Sequence, residues 1–193
     1  MQKTADNEVI LAWHFTGKRL RDGRKIPRVG AWLKHEGALA LCASGLHASA
    51  DPYDALKFAP GPILHRVELR GDFDAEADKM VARERRIIAS VDMTEQLYYF
   101  ARMQALSCLL AWAHDPPDAV LDYLMTGDAS LRSAAESAAE SAAWSAARSA
   151  AESAAESAAR QDWQQLVHEQ FGIKQQSTRG KRITGEVQSW QSA

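Results

Sequence analysis

At 193 residues the chain has room for one domain of ordinary size and an appendage. Its 23 Lys and Arg against 25 Asp and Glu leave a formal charge of −2, which excludes a global electrostatic pull toward nucleic acid or membrane, so any such affinity has to be local. Cys42 and Cys108 lie in separate apolar runs, LALCAS and LSCLLAW, a pattern of buried reduced thiols rather than of a disulfide or zinc site. MQKTADNE holds no signal-peptide core, and no stretch nears the roughly eighteen unbroken apolar residues of a membrane span, so the expectation is a soluble, cytoplasmic protein.

In chain order, EVILAWHF from Glu8 is a β-branched and aromatic run that predicts a strand. Glycines, a proline and basic residues in the following TGKRLRDGRKIPRVG forbid a long regular element there. ALALC, Ala38 to Cys42, predicts a second strand, which SGLHA continues or follows across Gly45. Asp51 is a natural N-cap with Pro52 at the first helical position, so DPYDALKFA predicts a short helix, ended by Pro60, Gly61 and Pro62. ILHRVELRG alternates at period two, with Ile63, His65, Val67 and Leu69 on one face and Leu64, Arg66 and Glu68 on the other. After the acidic turn GDFDAEADK, a β-branched end predicts a strand over about 83–91.

The pattern changes at Asp92. Asp-Met-Thr-Glu is a helix start, and Leu97, Phe100, Leu106, Leu109 and Leu110 recur at helical spacing until Pro116 and Pro117, which predicts an amphipathic helix covering the sheet. DAVLDYLM predicts a shorter helix ending at Gly127. From Ser133 the chain becomes a tetrad repeat of SAAE, SAAW and SAAR units, rich in the best helix former, which predicts one helix to about Gln170, ending at Gly172. A period of four overshoots the 3.6-residue turn by about 40° per tetrad, so no fixed apolar face forms. Such a helix either stands in solvent as a stiff spacer or packs closely against a partner, and oligomerisation through it is one such contact. Trp144 within the repeat and Trp190 in the basic tail are the natural anchors.

The predicted fold class is therefore α+β: a small mixed or antiparallel sheet over residues 8–92, covered by helices and followed by a long Ala/Ser-rich helix. The predicted division is a globular domain over 1–127, the tetrad helix over 128–172 and a flexible basic tail over 173–193.

No H-E-x-x-H, paired C-x-x-C, P-loop, G-x-G-x-x-G or G-x-S-x-G is present, so no metal site or common nucleotide or hydrolase motif is expected. The basic loop 18–34, with Trp32 beside it, could grip phosphates, although Asp22 and Glu36 dilute its charge and no nucleic-acid module accompanies it. Three further segments carry the functional reading: AWHFTGK around His14, GLHASADPYDALKFA around His47 and VARERRII around Glu84. In order and character they resemble the segments of ADP-ribosyltransferase-like domains. The resemblance spans roughly Glu8 to Asp92 and implies NAD as cofactor. It assigns His14 to the cofactor ribose, His47 to the place of the usual nicotinamide-stacking tyrosine and Glu84 to the catalytic carboxylate, with Thr16, Gly17, Ser49 and Tyr53 as further cofactor contacts. A carboxylate at that place would stabilise the oxocarbenium-like charge of glycosidic cleavage. Taken singly, His14 reads more readily as a strand-end imidazole satisfying backbone groups, His47 as a core filler and Glu84 as one member of an ordinary charge pair among Arg83, Arg85 and Arg86.

A second resemblance covers more of the chain. G-L-H-A and D-P-Y-D-A within 45–55, V-E-L-R-G-D at 67–72 and the Ala/Ser run at 133–160 resemble a family carried by phages and prophages. It implies an accessory role in a bacterial host cell, with a host or phage macromolecule as partner, and leaves open a non-enzymatic interaction protein.

Overall fold

The structure, a computed structural model, describes residues 2–4, 8–112, 117–141 and 152–173. Its elements are β1 (Gln2–Lys3), β2 (Ile10–Thr16), β3 (Trp32–Lys34), β4 (Leu46–Ala48), α1 (Pro52–Lys57), β5 (Ile63–Ala75), β6 (Met80–Asp92), α2 (Thr94–Trp112), α3 (Asp118–Thr126), a 3-10 turn at Ala129–Leu131, α4 (Arg132–Ser141) and α5 (Glu152–Gln170). The class is α+β, and every strand pairing is antiparallel.

The hairpin of β5 and β6 is the frame. The two strands turn over residues 76–79, where the Glu76 amide donates to the Lys79 carbonyl, and two register shifts bend the pair, the second near Gly71. β2 and β1 pair with β5, while β3 and β4 pair with β6. One further contact changes the shape of this sheet: the Trp13 and Ser49 backbones exchange both hydrogen bonds, 2.8 and 2.9 Å, linking the chain just after β4 back to β2. The pairings β2–β5–β6–β4–β2 therefore close a ring.

Strand alternation then gives the ring an inner and an outer surface. Ala12, Ala48, Val67, Leu69, Met80, Ala82 and Ile87 fill one cluster. Trp13, Phe15 and Leu64, one residue out of step, form another with Ala55, Met93, Trp163 and Val167, so the helices lie on the outer surface. α1 forms as its sequence predicts, with the Asp51 carboxylate accepting from the Tyr53 amide at 2.7 Å and Pro52 in the first turn.

Several expectations are corrected. Residues 38–42 form no strand: Ala40 and Ser44 pair only with each other in a tight turn. Cys42, expected buried, is exposed there, and the Cys108 side chain lies outside the described residues. α2 does not turn one face to the sheet along its whole length. Leu97 and Phe100 pack on the sheet cluster, but Leu106 and Leu109 build a separate core with Val120, Leu124 and Ala135 of α3 and α4; the Leu110 side chain is outside the described residues.

The largest correction concerns the division of the chain. A boundary at 127/128 is not respected, because α5 is part of the core: Trp163 and Val167 are fully buried against Trp13 and Phe15. Its polar contacts fix the same docking. Arg160 pairs with Asp51 at 3.1 Å and Asp54 at 2.9 Å, the Trp163 indole donates to the Pro52 carbonyl at 3.1 Å, and the Gln164 amide donates to Asp51 at 2.6 Å. The tetrad alanines serve close approach within the chain, with Ala135 and Ala159 both buried. Residues 142–151, with Trp144, and 174–193, with Trp190, lie outside the described residues, as does the expectation of a single unbroken helix across them. Among the described residues no helix is long and apolar enough to cross a membrane.

Candidate functional site: a basic cleft at one end of the strand ring

A cavity of about 790 Å³ opens between the end of β2, β4 and the loops around 19–24 and 42–45. The residues build it for local reasons. Gly45 takes φ 121°, and a Cβ there would meet Val81 at 2.3 Å and Leu39 at 2.9 Å, so only glycine lets the chain enter β4 this close to β6. β4 then carries His47 into the wall, and the Trp13–Ser49 bridge holds the wall against β2.

Of the residues singled out from sequence, His14, Thr16, His47 and Ser49 line this cavity. Gly17, Tyr53 and Glu84 do not. Gly17 packs against Gly61, where a Cβ would meet the Gly17 Cα at 2.6 Å. Tyr53 turns to the helix layer, its ring 6.5 Å from that of Phe100 with the Arg160 guanidinium 4.9 Å over it. Glu84 sits on the outer surface, where Arg70 binds it through Nε and Nη2, both at 2.7 Å. Next to it Arg86 pairs with Glu68, and Arg70 and Arg86 flank the Trp32 ring at 3.9 and 4.8 Å. Trp32 is thus engaged away from the basic loop that precedes it, and the expectation that Glu84 converges with His14 and His47 is overturned by strand alternation.

The neighbour of Glu84 takes the inner position. Arg85 is 5% exposed, lines the cavity and donates through Nη1 to the His47 carbonyl. Among the described residues no carboxylate pairs with it. Burial lowers its pKa to about 10, which leaves it charged at neutral pH.

Two imidazoles stand in its field. His14 and His65 are cross-strand partners with rings 6.5 Å apart and 23° from parallel. His65, 1% exposed, is bracketed by hydroxyls, with Thr16 Oγ1 2.8 Å from Nε2 and Ser90 Oγ 2.6 Å from Nδ1. A neutral ring satisfies both, one nitrogen donating and the other accepting. Burial first, and then the Arg85 charge, lowers the His65 pKa to about 4 and holds His14 well below its usual value. Burial likewise lowers His47, helped by the Arg85 and Arg21 charges and opposed by the backbone carbonyls of Gly45 and Ala40 near its ring. All three rings are therefore uncharged at pH 7.

The outer part of the cleft is cationic. Arg19, Arg21, Arg24 and Lys79 line it, against one acid, Asp22, which Arg24 engages at 2.6 Å. Among the described residues no group of His, Cys, Asp and Glu could hold a metal ion. His65 and Arg85 were missed by reasoning from single residues, yet the signal was present: His65 lies on the apolar face of the alternating β5 segment, and Arg85 is two residues from buried Ile87.

No curated protein and no solved structure matches the chain. Over residues 10–98, a span that holds every residue lining the cavity, the chain is similar to the family described as a domain of unknown function (DUF7666).

Proposed function

We propose that the cleft binds a nucleotide of the NAD and ADP-ribose class, in a phage- or prophage-borne accessory protein acting in the bacterial cytoplasm, and that Glu84 takes no part in any turnover. The observation that carries this reading is that His14, Thr16, His47 and Ser49, all assigned to cofactor contact by the ADP-ribosyltransferase resemblance, line one cavity. Its volume of about 790 Å³ suits a ligand of that size. Neutral imidazoles support it too, because an uncharged His47 can stack on a nicotinamide ring without repelling its positive charge. The phage setting rests on the resemblance of the GLHA, DPYDA and VELRGD segments.

Titration calorimetry of the full chain with NAD and ADP-ribose tests this. Binding is expected, with His14→Ala weakening it at least tenfold and His47→Tyr keeping or strengthening it. Absence of heat with both ligands, together with no NAD consumption in bacterial extract, would sink the proposal. The rival reading, a non-enzymatic protein that binds a host or phage macromolecule, draws on the adjacent Tyr98 and Tyr99, which are 64% and 46% exposed on α2. It predicts that Tyr98→Ala weakens partner capture while leaving NAD binding untouched.

A further inference from the structure

Arg85 raises a question that the nucleotide reading does not answer by itself. Charged side chains are rarely buried without an opposite charge, because the lost hydration is returned only by a counterion or a full set of hydrogen bonds. Arg70 and Arg86, on the outer surface of the same sheet, follow that rule with Glu84 and Glu68. Arg85 breaks it: nine-tenths and more buried, it has one acceptor among the described residues, the His47 carbonyl, and no carboxylate. A guanidinium offers five N–H donors in a planar fork that matches phosphate oxygens.

The surroundings sharpen the chemistry. Leu69, the cross-strand partner of Arg85, and the pair Val67 and Ile87 are 3% exposed or less, belong to the buried apolar cluster and do not line the cavity, so the cavity stops at Arg85 on that side. A terminal phosphate can reach such a place, whereas the internal diphosphate of NAD or ADP-ribose, which continues in both directions, would stay nearer the cationic rim. His14 of β2 and His65 of β5 face the same charge, as does His47 of β4, which also feels Arg21. The neutral imidazoles of His14 and His47, which line the cavity, can donate as well as accept, and they add no negative charge to repel an anion.

We infer that Arg85 is the receptor for a terminal phosphate, so that the cleft takes its ligand phosphate first, as a phosphate monoester such as a nucleoside monophosphate, with the rim cations Arg19 and Arg21 drawing the anion in. This rests on the nucleotide reading for the rest of the ligand but not for the phosphate itself. The cost of burying the charge is then met when the ligand arrives. It follows that the apo protein carries Arg85 at a disadvantage, and that removing the charge should not harm the fold.

The test is thermal denaturation of the full chain and of Arg85→Met with AMP, adenosine, inorganic phosphate and NAD. For the wild type, AMP and inorganic phosphate should raise the melting temperature and adenosine should not, since only a ligand of the native state stabilises it. Arg85→Met without ligand should melt at the same temperature or higher and should lose AMP affinity by roughly a hundredfold, as expected when a charge-assisted fork is removed. Equal binding of AMP to wild type and Arg85→Met overturns the inference and leaves the nucleotide reading standing. Phosphate binding that depends on Arg85, without any response to AMP or NAD, supports the inference and overturns that reading; no response to any probe overturns both. Should Arg85→Met fail to fold, sulfate binding to the wild type decides. A bound anion makes protonation of His14 and His47, the imidazoles that line the cavity, easier, so sulfate affinity should rise as the pH falls from about 7.5 to about 5.5. A flat profile overturns the inference.

Discussion

The two surfaces of the strand ring treat the same residue type in opposite ways. Outside, Arg70 and Arg86 lie half-exposed, each against a glutamate and both against Trp32. Inside, Arg85 faces three imidazoles held toward their uncharged form and, among the described residues, pairs with no carboxylate. Glu84, Arg85 and Arg86 are consecutive, so the period-two geometry of one strand is what separates a neutralised, solvated ladder from a buried site of positive potential. The comparison teaches that a run of charges is not a single feature. Each second residue belongs to a different chemical environment.

The comparison is broken most severely from the outer surface, where α5 covers the apolar end. Trp163→Ala removes a fully buried indole that packs 5.1 Å from Phe100 and 6.3 Å from Phe15 and that donates to Pro52. The loss should be about 3–5 kcal/mol, read from denaturant midpoints. A loss under 1 kcal/mol would mean that α5 does not dock.

The inner surface has a pH signature of its own. His65 carries a proton at pH 5 in the unfolded chain, whose histidines titrate near 6.5, but not in the folded one, where its pKa is about 4. The unfolded state therefore binds more protons between those values. Stability is full above pH 6.5 and falls as the pH drops toward 4, by roughly 3 kcal/mol over the window for this residue. Urea titrations across that range should show the slope, and His65→Gln should reduce it, the remainder belonging to His14 and His47. An unchanged slope in the variant would place the acid sensitivity elsewhere.

The smallest effect belongs to the ladder. Glu84→Gln leaves the Arg70 and Glu84 pair at the surface without one charge, and with Arg70 44% exposed the loss should stay below about 1 kcal/mol. Ligand affinity in the cleft should be unaltered. A large drop in binding or in any NAD turnover would return Glu84 to the site.

Much of the sheet was legible in the sequence. Alternation over 63–69 and the Asp51-Pro52 cap predict β5 and α1, and the run EVILAWHF predicts the strand that forms as β2 over Ile10–Thr16, because local propensity and burial agree there. β3 was not legible, since Trp32–Lys34 is a three-residue edge strand held by pairing with 84–86 rather than by its own pattern. Nor was the turn at 38–42, where the apolar ALALC is closed by Ser44 and Gly45. The docking of α5 was hidden by the tetrads before it, although Trp163, Leu166, Val167 and Phe171 hold the spacing of a buried stripe. In the cleft, the two histidines and two hydroxyl residues were found from motif order, whereas Arg85 was taken for one more member of a charge run. Only tertiary closure of the ring makes its side of the strand the interior.

The bridge between Trp13 and Ser49 has a consequence for traffic rather than for affinity. With β4 bonded to β6 along one edge and the chain after it to β2 along the other, that wall cannot swing aside without breaking main-chain hydrogen bonds on two strands at once. Entry and exit are left to the loops around 19–24 and 42–45. For the ligand proposed above, residence time would then be governed by those loops, and dissociation would be tuned there without touching the groups that recognise it.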